Sequence, residues 1–424
     1  MAARAKVVLT GLGLSLAFLA VLAPADATPP SARHAGARVA IAPAISLADE
    51  PLDLRLTGLP AGVTTSVELS STDAAGTRWQ SSADFRTDAL GRVDVARTPA
   101  RGGSYRGVWD MGLLDSMTAR TRTLDGAYAW RGDRPLAFDA RVFVDGRLVA
   151  SRSFLRRLSA KPVVHTVERL GTTGFVGEYF APVGATGRTA VLAFGGAAGG
   201  LRTTLLASMF AAHGYPTLAL AYFKAPGLPQ GLHDIPLEYF AKALRWLRDQ
   251  PAVDPGRIFT LGISRGSEAA LLLGVHYPEL VHGVIGAVPD NRAICIDPTC
   301  PRPPWTLGGA PIPFTHEFDN PRPTDNPSAV IPVERIHGPV FLACAEADRT
   351  WPSCAFARAV VARLVAHASP YRHELVAVPH AGHRLGSLAP NEPVVESQRG
   401  APVDARARAE VWPRLLAFLQ AASG

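Results

Sequence analysis

Lysine is nearly missing from this chain. Lys6, Lys161, Lys224 and Lys242 are the whole supply, so the formal net charge of +7 is arginine charge. The arginines are scattered along the chain, with no polybasic tract and no nucleic-acid-binding motif. The basic balance therefore reads as surface solvation, and no nucleic-acid partner is expected. Charged residues are also few, at 19% against 47% hydrophobic, which excludes an intrinsically disordered chain. Cysteine is limited to Cys295, Cys300, Cys344 and Cys354. None stands in a CxxC or Cys/His spacing, so no zinc site is expected. The glycine-rich run at 195–200 is not followed by Gly-Lys-Ser/Thr and lacks the G-x-G-x-x-G spacing, which argues against a nucleotide loop. No cofactor or metal is expected. Beyond the first residues, no apolar stretch is long enough to span a bilayer.

The start of the chain differs from the rest. Arg4 and Lys6 precede an apolar run at 7–23, and Ala25 and Ala27 put small residues at the −3 and −1 positions of a cleavage site. Residues 1–27 thus have the pattern of a secretory signal peptide. The run lies at the short end of the spanning range, so an uncleaved N-terminal anchor is the alternative. Cleavage predicts a secreted or cell-envelope protein with no stable membrane span. The even cysteine count fits an oxidising compartment. Cys295 and Cys300 can close a small loop, and Cys344 and Cys354 flank a site loop. Four cysteines allow three pairings, buried free thiols are a further reading, and sequence does not choose.

After a Pro- and Ala-rich leader at 28–37, residues 38–155 have an all-β texture. LDLRL (52–56), SVEL (66–69) and RVDV (92–95) alternate apolar and polar residues, as strands with one buried face do. Turn signals separate them, and Asp145-Gly146 between RVFV (141–144) and RLVA (147–150) predicts a two-residue hairpin. Short strands at this spacing suggest an immunoglobulin-like β-sandwich. Residues 156–180 are expected to connect it to a second domain at 181–424. There the texture changes to continuous apolar runs alternating with helical stretches. AVLAF (190–194), PTLALA (216–221), GVIGAV (283–288), PVFLA (339–343) and ELVAV (374–378) read as strands buried on both faces. Strand–helix alternation predicts parallel pairing, hence fold class α/β. Residues 289–335, rich in Pro and Gly, break the alternation and are expected to form an insertion over the site, a candidate lid.

The segment LGISRGSE (261–268) carries the chemistry. It joins a strand-like run to a helix-like run, and Gly262-x-Ser264-x-Gly266 in that context is the nucleophile-elbow pattern of an α/β-hydrolase. The turn exposes the Ser264 hydroxyl and aims the Arg265 amide at a developing oxyanion. A second donor is expected from the loop after Phe194, at Gly196 or Ala197. Serine needs a base to take its proton and a carboxylate to orient that base. In this fold they follow in the order Ser, acid, His, on loops after later strands. Asp348 and His383 hold those places, with Glu346 and His380 as alternatives. Glu268 either orients the site or pairs with the helix N-terminus, the latter being favoured. Trp351 is expected to pack the acid loop, and His233 and His316 to be surface or lid residues.

Several ordered segments resemble the acyl-CoA thioesterase / bile acid-CoA:amino acid N-acyltransferase family. They are DEPL (49–52), GLP (58–60), GGSY (102–105), MGLL (111–114), HGYPTLALAY (213–222), LEYF (237–240), LGISRGSE (261–268), DRTWPS (348–353) and AGH (381–383). The resemblance covers roughly residues 38–420. It implies a sandwich followed by a hydrolase domain, a Ser264–Asp348–His383 triad, and an acyl thioester or related ester as small-molecule substrate. Members that transfer acyl groups to amino acids carry Cys at the nucleophile position. Ser264 here implies hydrolysis, of acyl-CoA to free acid and CoA, over aminolysis. Export would set this chain apart from its intracellular relatives, and region 291–335 departs from the family pattern. An exported oxygen-ester hydrolase and a non-catalytic surface binding protein on the same fold are the alternatives.

Overall fold

The alternation at 52–95 and 136–157 produces two sheets that bury one face each. A computed structural model describes residues 36–119, 128–132, 134–295, 300–391 and 402–422. The expected signal peptide at 1–27 lies outside the described residues. A three-stranded sheet (Arg38–Ala42, Asp53–Thr57, Val93–Asp94) faces a seven-stranded one. The larger sheet centres on Arg147–Arg157, Leu136–Val144, Thr64–Thr72 and Arg78–Arg86. Val67, Leu69, Trp79, Phe85, Phe138 and Val142 point between the sheets and are buried. Asp145 and Gly146 both take positive φ, as a turn matching the right-handed twist of the flanking strands requires.

The sheet of the second domain has eight strands, numbered along that domain: β1 (Val163–Glu168), β2 (Val176–Pro182), β3 (Arg188–Phe194), β4 (Thr217–Ala221), β5 (Val253–Ile263), β6 (Gly283–Ala287), β7 (Val340–Ala345) and β8 (His373–Val378). Their order in space is β1-β2-β4-β3-β5-β6-β7-β8. Neighbours are parallel from β4 to β8, while β2 runs antiparallel to both of its neighbours. Helices Thr204–Ala212, Leu237–Arg248, Arg265–His276, Ser353–Ala366 and Pro402–Ala421 belong to the same domain. Helices on both faces explain why β4, β6 and β7 are buried throughout.

The expected connector at 156–180 needs correcting. The last sandwich strand runs to Arg157, and β1 and β2 already belong to the hydrolase sheet. β1 is an edge strand whose side chains are mostly exposed, so it lacks the apolar pattern by which a strand is recognised.

Parallel strands end on one edge, so the loops after β3, β5, β7 and β8 meet there. Across the junction with the sandwich, Asp49 accepts hydrogen bonds from His213 Nε2 (2.5 Å) and Trp412 Nε1 (2.7 Å). Arg406 donates to the Val108 carbonyl at 2.6 Å and lies over the Trp109 ring. Both cystine pairs are local: Cys295–Cys300 and Cys344–Cys354.

Candidate active site

The elbow forms because two glycines remove the Cβ atoms that would block it. A Cβ on Gly262 would strike the Gly266 carbonyl, and one on Gly266 would strike the Gly195 carbonyl. Ser264 sits at the apex with φ 55° and ψ −124°, a conformation that a side-chain-bearing residue adopts only at a cost. The helix Arg265–His276 starts immediately after it. As the first helical residue, Arg265 has an amide with no acceptor within its own helix.

Three loops converge on the Ser264 hydroxyl. His383 Nε2 lies 3.0 Å from Ser264 Oγ, and His383 Nδ1 lies 2.8 Å from Asp348 Oδ2. The Asp348 side chain is almost fully buried, while His383 keeps 24% exposure on the open side. Asp348 is oriented by its own loop, accepting from the Thr350 amide at 2.9 Å and the Trp351 amide at 3.4 Å. Trp351 packs edge-on to the His383 ring and donates from its indole to the Val288 carbonyl at 3.1 Å. The Cys344–Cys354 disulfide ties the end of β7 to the start of the following helix, closing the segment that holds Asp348.

The alternatives lie elsewhere. Glu346 is exposed and ion-paired with Arg358, and His380 is exposed on the loop after β8. His233 and His316 are half-exposed beside Asp234 and Asp325. On the opposite side of Ser264, Gly196 presses against the elbow. A Cβ there would sit 2.8 Å from the Ser264 Cβ and 2.7 Å from the Ile263 carbonyl, so only glycine permits this approach. Ala197 follows it, exposed.

Glu268 stands in the first turn of the helix, where pairing with the helix N-terminus is the favoured expectation, and it also accepts from the Ile294 amide and the Trp305 indole of the insertion. It is wholly buried and ion-paired with Arg265, because the insertion folds over this end of the helix. Burial pushes its carboxyl up to about 7, with Arg265 opposing and Asp290 adding to the rise. The insertion at 289–335 has a packed interior: Arg292 is fully buried, holds Asp290 through two bonds of 2.9 and 3.0 Å, and lies 4.2 Å above the Phe356 ring.

Other residues reach the site from far along the chain and left no local signal. Asp404, on the C-terminal helix, accepts from the Gly382 amide, next to His383. Arg408, one turn on, donates to the carbonyls of Ala389 at 3.0 Å and Arg384 at 3.3 Å. Tyr222 donates to the Gly195 carbonyl at 2.9 Å and so braces the loop that carries Gly196.

A doubly wound sheet, a strained serine at a strand–helix turn and a carboxylate-backed histidine define an α/β-hydrolase carrying an N-terminal β-sandwich. Comparison with known proteins narrows this further. The family profile for the acyl-CoA thioester hydrolase/BAAT N-terminal region matches residues 49–168, and the BAAT/acyl-CoA thioester hydrolase C-terminal profile matches 235–291 and 311–424. The chain belongs to the acyl-CoA thioesterase / bile acid-CoA:amino acid N-acyltransferase family. Mouse acyl-coenzyme A thioesterase 6 is 28% identical over 402 residues, covering 88% of this chain and 93% of its own. Rat acyl-coenzyme A thioesterase 1 is 29% identical over 80% of this chain and 82% of its own. Mouse acyl-coenzyme A amino acid N-acyltransferase 1 is 28% identical over 81% and 85%.

Proposed function

We propose that this chain is a serine hydrolase that cleaves acyl thioesters, with acyl-CoA the leading substrate class. The observation that carries the reading is the hydrogen-bonded line from Ser264 through His383 to buried Asp348, with distances of 3.0 and 2.8 Å. His383 takes the Ser264 proton as Oγ attacks the carbonyl carbon, and Asp348 holds the imidazole in the tautomer that accepts it. The amides of Arg265 and of Gly196 or Ala197 receive the oxyanion. Collapse expels the thiol, which takes the proton from His383, and leaves an acyl-Ser264 ester. His383 then deprotonates water, and a second tetrahedral intermediate releases the acid. Ser264 in place of cysteine supports water as acceptor, and two of the three relatives above are named as thioesterases.

A second reading, hydrolysis of oxygen esters after export, is favoured by the two disulfides around the site. Disulfides persist in oxidising compartments, where acyl-CoA is not expected. The proposed export is tested by sequencing the mature N-terminus: a start near Thr28 supports it, and a start at Met1 or Ala2 overturns it. The reaction is tested by assaying acyl-CoAs of several lengths against aryl and glycerol esters, with Ser264→Ala as blank. Preference for acyl-CoA supports the thioesterase reading. Turnover of esters alone replaces it with the second.

A further inference from the structure

The elbow helix hides charge that the hydrolytic steps do not use. Glu268 is fully buried and Arg265 nearly so. A buried ion pair is a poor device for stability alone, since desolvation offsets the attraction and apolar residues of similar volume often hold a fold as well. These groups therefore need an account beyond holding the helix in place.

Their partners suggest one. The Glu268 carboxylate pairs with the Arg265 guanidinium and also accepts from the Ile294 amide at 3.2 Å and the Trp305 indole at 2.9 Å. The Arg265 guanidinium donates in turn to the Ile294 carbonyl. Ile294 and Trp305 both belong to the insertion at 289–335, and both are fully buried. A second tie runs in parallel: the Ser267 hydroxyl donates to the Ser264 carbonyl at 2.6 Å and accepts from the Asp290 amide at 3.0 Å. The turn that presents the nucleophile is thus bound to the insertion by polar contacts rather than by apolar packing alone. Arg265 is also the residue whose amide adjoins Ser264.

We infer that Glu268 is a positioning residue: by clamping the Arg265 side chain to Ile294 and Trp305, it fixes the Arg265 peptide beside Ser264 and makes the oxyanion site depend on how the insertion is seated. The inference rests on the proposed serine-hydrolase reading. A donor acts on an oxyanion only over a few tenths of an ångström, and a misplacement of 1 Å costs on the order of a hundredfold in rate. An apolar residue at 268 keeps the helix but releases this constraint.

The test uses the full chain with three variants: Glu268→Gln, Trp305→Phe, and the double variant Arg265→Met with Glu268→Met. For each, kcat and KM on the preferred substrate are measured with the rate of Ser264 labelling by a fluorophosphonate and the melting temperature. Glu268→Gln is expected to lower kcat and the labelling rate together, by about tenfold to a hundredfold, with KM within about twofold. Trp305→Phe is expected to shift both in the same direction by less. The double variant removes both charges, so its melting temperature is expected to return toward wild type while kcat does not. Recovery of kcat along with stability would show a merely structural pair and overturn the inference, as would Trp305→Phe and Glu268→Gln both labelling at the wild-type rate. Failure of the wild type itself to label overturns the serine-hydrolase reading, and this inference with it.

Discussion

In the sandwich, strands such as Thr64–Thr72 and Arg78–Arg86 bury every second residue. In the hydrolase half, β4, β6 and β7 bury every residue. The backbone differs in the same way. Among the described residues, Asp145 is the sandwich's non-glycine residue with positive φ, and it sits in a hairpin turn that asks for one. The hydrolase half places Lys224, Asp234, Ser264, Val288, Ala368, His380, Leu388 and Asn391 there. Ser264 and Val288 stand at the sheet edge where the site lies, and a β-branched residue such as Val288 rarely tolerates that region. Backbone strain is thus concentrated in the half where chemistry is proposed, and a doubly covered sheet supplies the packing that can hold it. The sandwich shows less of this backbone strain, although it too buries charge, with Arg156 and Asp115 both out of solvent.

The sharpest test of this contrast is Ser264→Ala, expected to lower hydrolysis by about 10⁴- to 10⁶-fold with no loss of folding, read from steady-state rates and circular dichroism. Asp348→Asn should follow at about 10⁴-fold, since an amide holds the imidazole in the wrong tautomer. A matching change in the sandwich should behave oppositely. Phe85→Ala, in the core between the sheets, is expected to cost about 3–5 kcal/mol in urea unfolding while kcat per folded molecule stays unchanged. A fall in kcat would break the comparison and make the sandwich part of the site.

Smaller effects come from the links. Replacing Cys344 and Cys354 together by serine is expected to cost about 2–3 kcal/mol and to lower kcat, because the acid loop loses its closure. Unchanged kcat would reduce the disulfide to a stabiliser. The smallest effect concerns the junction. Bonding to Asp49 holds the His213 imidazole above its ordinary value of 6.5. Burial alone would raise the Asp49 carboxyl, but its bonds to His213 and Trp412 keep it below the usual range. A raised histidine contributes stability that is fully present below 6.5 and is lost as pH rises through the folded-state value. Thermal melts of wild type against His213→Ala should therefore differ by about 1 kcal/mol at acid pH and converge at alkaline pH. A difference that persists there would place the effect in packing against the Trp412 ring.

Much of the architecture is legible in the sequence because its signals are short. The helix Leu237–Arg248 has its apolar face at helical spacing, and the turn at Asp145 and Gly146 is a two-residue signature. β1 was not legible, because an exposed edge strand has no buried face to write into its pattern. The setting of Glu268 was not legible either, since its partners Ile294 and Trp305 come from the insertion rather than from its own helix.

The sequence by itself determined what a few neighbouring residues decide: the glycine-flanked serine between strand and helix, the alternation of one sheet and the continuous apolar runs of the other, and the candidate acids and bases on later loops. Tertiary structure alone decided which carboxylate stands behind His383, how the four cysteines pair, and that Asp404 and Arg408 hold the histidine loop. The physical reason is distance along the chain. A backbone turn depends on the residues within it, whereas the contact between Ser264 and His383 spans 119 positions and exists only because parallel strands end on a common edge.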